Sequence, residues 1–83
     1  MKIPTVHLNG TGKEELTENY QRAYLALYNA MEAMKRAAPN ARDYYVQDSN
    51  AFTVAMLEHT DRLKMIQQVQ DEIQEIYEQI VDA

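Results

Sequence analysis

Cysteine and tryptophan are absent from this chain, glycine and proline occur twice each, and phenylalanine once. Without cysteine there is no disulfide framework, no thiolate metal site and no thiol nucleophile. Two glycines leave no room for a glycine-rich phosphate loop. Long apolar runs are missing as well, which excludes a transmembrane span, and no series resembling a signal peptide opens the chain. Basic charge is scarce: 8 Lys and Arg stand against 13 Asp and Glu, a formal charge of −5. Binding a phosphate backbone needs a clustered excess of cations, so nucleic acid is not an expected partner. The one adjacent basic pair, Lys35-Arg36, stands where cations favour a helix C-terminus. No helix has the basic polar face of a membrane-surface helix, so no membrane partner is expected either. These exclusions point to a soluble, cytoplasmic protein.

What is present is helical pattern. The composition, 46% hydrophobic and 25% charged, is that of a folded domain. A single domain of 83 residues buries only about 60–65% of its unfolded surface, so oligomerisation is the expected remedy for a marginal core. Residues 1–12 read as a short arm, with Ile3 to Leu8 as one extended strand closed by Asn9-Gly10. Thr11 and Glu14 fit a capping box. Leu16, Tyr20, Ala23, Leu27, Ala30, Met34 and Ala37 then recur at spacings of 3 and 4, with Tyr24, Tyr28 and Met31 beside them. They predict a first helix over 12–38, roughly 39 Å long. Pro39 ends it.

Asp48-Ser49-Asn50 is the next N-cap cluster, after a loop over 39–48. The seam Met56, His59, Leu63, Ile66, Gln70, Ile73, Tyr77 and Ile80 predicts a second helix over 49–81. Phe52, Ala55, Val69 and Ile76 flank that seam. The second helix outreaches the first by about 10 Å. That surplus, apolar at Ile73, Ile76 and Ile80, is expected to dock on the arm or on a symmetry mate. The predicted class is therefore all-α: an antiparallel two-helix hairpin with an extended N-terminal arm, assembling as a homo-oligomeric bundle.

The loop carries the chemistry-bearing side chains. Arg42 offers a planar fork for phosphate or carboxylate, Tyr44 and Tyr45 offer ring faces and hydroxyls, and Gln47 and Asn40 can read the edge of a planar ligand. The bland alternative is that Arg42 pairs with Asp43 or caps the first helix while the tyrosines close the end of the bundle. His59 falls on the apolar seam, with Arg62 on its flank, either as a satisfied core histidine or as a ligand-orienting group. In a simple hairpin it lies roughly 15 Å from the loop, within reach of a loop-bound ligand only if the loop folds back along the groove or comes from another subunit. Asn9 and His7 on the arm are further candidates, His7 equally readable as exposed or structural.

Glu14-Glu15-Leu16-Thr17-Glu18 and Glu58-His59-Thr60-Asp61 match the letters of the magnesium-binding segments of small all-α nucleotide pyrophosphohydrolases. An antiparallel hairpin separates the two groups by about 20 Å, so solvated acidic faces are the expected reading. No catalytic residue, metal site or cofactor is predicted.

The arm Thr5 to Thr11, the loop Ala38 to Gln47, Ala51-Phe52, Glu58-His59 and Arg62 resemble small proteins encoded by bacteriophages and prophages. The resemblance covers most of the chain and implies an accessory protein that acts by binding in the host bacterial cytoplasm. The first expectation is a non-enzymatic protein that sequesters a small anionic, nucleotide-like host signal. Arg42 would hold its phosphate, Tyr44 or Tyr45 its base, and Asn9, Gln47 and His59 would orient it. The alternative is a module that inhibits or adapts a host or phage protein through its acidic outer face. A magnesium-dependent nucleotide pyrophosphohydrolase ranks third.

Overall fold

In the computed structural model, which describes residues 1–83, two α-helices account for most of the chain: α1, Lys13–Arg36, and α2, Ala51–Val81. Between them lies a single 3₁₀ turn, Ala41–Asp43. The helices are antiparallel neighbours: Lys13 Nζ, on the first residue of α1, donates to the Ala83 carbonyl oxygen at 2.7 Å. The molecule measures 61 × 20 × 17 Å, a rod one helix pair thick.

The α2 seam follows the sequence pattern at every position. His59, Gln70 and Ile80 are buried, and Met56, Leu63, Ile66, Ile73 and Tyr77 are half-buried. Steps of three and four between them average 3.5 residues, which keeps one edge of the helix turned to its neighbour. On α1 the pattern shifts. Leu16, Tyr20, Ala23 and Leu27 face α2 as expected, but Met31 is the buried residue of the second half, while Ala30 and Ala37 are exposed. A methyl group cannot reach across a helix interface that Met31 can fill, so the longer side chain sets the orientation of the last turns.

The helix ends differ from expectation in detail. Gly12, not Thr11, is the N-cap of α1, with no side-chain capping bond, so the capping box does not form. The first turn relies instead on Glu14 and Glu15 against the helix dipole, while Thr17 Oγ1 donates back to the Lys13 and Glu14 carbonyls at 2.9 Å and leaves the first N–H groups uncapped. Residues 1–7 adopt neither strand nor helix, because one segment without a neighbouring strand has no ladder to join. α1 stops at Arg36, three residues before Pro39, with Lys35 and Arg36 in its last turn.

The mismatch in helix length falls at the opposite end from the one expected. Lys13 and Ala83 bring the start of α1 level with the end of α2, so the surplus of about 10 Å is the first two turns of α2, beyond Arg36. Ile80 is wholly buried within this one chain and needs no symmetry mate. In the arm, Ile3, Pro4 and Val6 are half-buried.

Only four residues are buried: Met31, His59, Gln70 and Ile80. With so little interior, each sealed side chain carries a large share of the stability. Ile80→Ala is expected to cost about 2–5 kcal/mol, read as a lowered midpoint in thermal or urea unfolding followed by circular dichroism.

Candidate functional site

The overhanging turns of α2 are where the loop comes to rest. Asn40 opens the 3₁₀ turn, its Oδ1 accepting from the Arg42 backbone N–H at 3.0 Å. A second such turn follows, in which Asp48 Oδ1 accepts from the Asn50 backbone N–H at 2.9 Å and directs the chain into α2. Asn50 occupies the N-cap without a side-chain bond of its own, so Asp48 is the acting member of the predicted cap cluster. Between these turns the Tyr44 ring leans on Phe52, with centroids 6.4 Å apart and planes tilted by 49°. That contact pins the loop against α2 instead of letting it close the end of the rod.

The result is a groove of about 490 Å³. Pro39, Tyr44, Gln47 and Asp48 form its loop wall, Ala37 the end of α1, and Ala51, Val54, Ala55, Glu58, His59 and Arg62 its α2 wall. The sequence placed His59 beyond the loop's reach unless the loop folded back. It does fold back, over the overhang that α1 leaves uncovered.

His59 is the distinctive group. It is 6% exposed, and its Nε2 is buried with no hydrogen-bond partner. The reading as a satisfied core histidine is therefore not met at that nitrogen. An orphaned buried polar atom costs about 1–3 kcal/mol. Arg62 stands one turn along the same helix, its Nη2 4.0 Å from Glu58 Oε2 and its side chain 57% exposed. So loose a pair leaves the guanidinium free to take an anion.

The predicted site residues divide into two groups. Tyr44, Gln47, His59 and Arg62 share the groove. Arg42 and Tyr45 do not line it and are exposed. Arg42 makes no ion pair with Asp43, since Glu32–Lys35 and Glu58–Arg62 are the two pairs in the molecule. Asn9 and His7 lie in a separate turn, where the Gly10 N–H donates to the His7 carbonyl at 3.2 Å. A Cβ on Gly10 would stand 2.7 Å from His7 Nε2, so this turn admits only glycine while the His7 ring folds over it. Asp48 and Glu58 are the groove residues that sequence reasoning did not assign to a site. Their acidity was visible, but one read as a cap and the other as part of a solvated face.

A second, smaller depression of about 340 Å³ lies between the helices at Gln21, Tyr24, Leu25, Gln74, Tyr77 and Glu78. It offers no buried unpartnered group. The Glu14, Glu15 and Glu18 cluster sits at the Lys13–Ala83 end, away from Glu58 and Asp61, and nowhere do three His, Asp or Glu side chains gather as a metal site. No helix is long and apolar enough to cross a membrane.

If Nε2 is an unmet donor or acceptor in the free protein, an apolar replacement of similar size removes its penalty. His59→Leu is expected to raise unfolding stability by about 1–3 kcal/mol in the absence of ligand. Denaturant titration reads this directly, and a destabilised variant would mean that the imidazole is satisfied after all.

No family model, no curated protein and no solved structure matches this chain.

Proposed function

We propose that this chain is a non-enzymatic, homo-oligomeric binding protein whose loop-end groove takes a small, planar anionic molecule of nucleotide type that carries a single phosphate. The observation that carries the reading is the buried, unpartnered Nε2 of His59 in the wall of a groove that also holds a loosely engaged arginine. Each lining group has a part. Arg62 meets the anionic group, the Tyr44 ring, braced by Phe52, offers a stacking face, and Gln47 and His59 Nε2 bond to the edge of the ring system.

The lining also narrows the choice of ligand. Asp48 and Glu58 stand in the same groove as the single cation Arg62, so its net charge is not positive. A di- or triphosphate would be repelled. A ligand with one phosphate suits it, with ring N–H or amino groups to donate to a carboxylate. Arg42, outside the groove, is not assigned the phosphate. Binding without turnover, in a protein resembling small phage-encoded ones, is the behaviour of a sponge for a host signalling nucleotide.

A second reading rests on Leu57 of α2, which lines neither depression, is 63% exposed and stands one turn from the exposed Asp61. That surface suits a protein partner that this chain inhibits or adapts. Isothermal calorimetry against cyclic and linear mononucleotides, with triphosphates as the contrast, separates the two. One-phosphate ligands are expected to release heat, triphosphates little, and Arg62→Ala and Tyr44→Ala each to weaken binding roughly tenfold or more. Heat from none of the panel, or binding indifferent to both substitutions, would reject the groove as the site.

A further inference from the structure

The molecule exposes more surface than a chain of its mass should. Its accessible area is 6363 Å², whereas a compact 9.6 kDa monomer exposes about 5,100 Å². The excess of about 1,300 Å² exceeds the roughly 800 Å² that each partner of a standard protein interface covers. One side of the rod carries part of it. Along α2, Ala55, Arg62, Val69 and Ile76 recur every seven residues and form one line, with Ala51, Glu58, Met65 and Glu72 forming the adjoining line. Met65 and Val69 are 61% and 44% exposed. Along α1, the exposed Ala26, Ala30, Ala33 and Ala37 follow each other at steps of four and three. Ala37, Ala55 and Arg62 line the same groove, which places the alanines of α1 and these lines of α2 on one side.

We infer that this side is covered by a second copy of the chain, laid across it in antiparallel fashion to make a four-helix bundle with the two loops at opposite ends. Charge decides the orientation. A two-fold axis between Met65 and Val69 brings Met65 opposite the partner's Val69 and, while the groove holds no anion, Arg62 opposite the partner's Glu72, each contact occurring twice. The same axis sets Ala26 of α1 against the partner's Ala30, where side chains this small let two helices approach closely. Because the loop-end groove opens on this side, the second copy also roofs it. The dimer itself follows from the surface and stands without any ligand.

Size-exclusion chromatography with light scattering tests the assembly on the whole chain, with circular dichroism run on the same samples. The expected mass is twice 9.6 kDa, with helicity that falls on dilution. Ala30→Glu is expected to abolish the dimer, whereas Leu25→Glu, in the other depression between the helices and off these lines, leaves it intact. Arg62→Glu and Glu72→Arg are each expected to weaken dimerisation roughly tenfold, and the double swap to restore it. A fully helical species of single-chain mass, or a dimer insensitive to Ala30→Glu, would overturn the interface. Failure of the double swap to restore association would overturn the antiparallel arrangement.

Discussion

Two helices have only one seam between them, and everything else in this molecule follows from that limit. A helix pair can hide one edge of each member, never a full face, so only Met31, His59, Gln70 and Ile80 reach the interior. Steps of three and four along α2 keep that edge in register over the full rod, and Lys13 bonded to the Ala83 carbonyl marks where the register begins. Two of the four buried side chains are polar. Gln70 in the middle of the seam gives up some burial energy, and polar groups at such positions penalise a shifted pairing more than the native one.

The same register creates the groove. Because the free ends are level, the extra length of α2 is left uncovered next to the loop, and the loop folds onto it. Pro39 prevents α1 from extending to cover that length. Two local turns capped by Asn40 and Asp48, and the tilted contact of Tyr44 with Phe52, fix the path. His59 sits at the boundary, on the seam and in the groove wall at once, which is why its ring is buried while one nitrogen finds no partner. The unmet nitrogen leaves a desolvation cost in the folded chain.

Shape and charge pull in different directions in this site. The groove of about 490 Å³ holds two carboxylates, Asp48 and Glu58, against one arginine, a balance that under the proposed reading disfavours heavily charged ligands. The acidic bias of the whole chain, −5, acts the same way at long range. On that reading, specificity would rest on hydrogen bonds to ring edges and stacking against Tyr44, not on a field that draws in any phosphate.

Periodicity in the sequence was enough to determine the helices, their antiparallel pairing and every seam position of α2, because helix formation and the choice of buried edge are set by spacing alone. Pro39 marked the turn, and Tyr44, Gln47, His59 and Arg62 were recognisable as chemistry-bearing. Spacing could not say which end of α2 overhangs, since the level of two helices depends on how their side chains interlock, and Met31 displacing Ala30 from the interface is one such choice. That level decided whether the loop sealed the end of the rod or lay back along it. It therefore decided that His59 and the loop share one groove while Arg42, Tyr45, His7 and Asn9 face elsewhere. Local sequence sets what each segment can be; only the packing of one helix on the other sets which side chains meet.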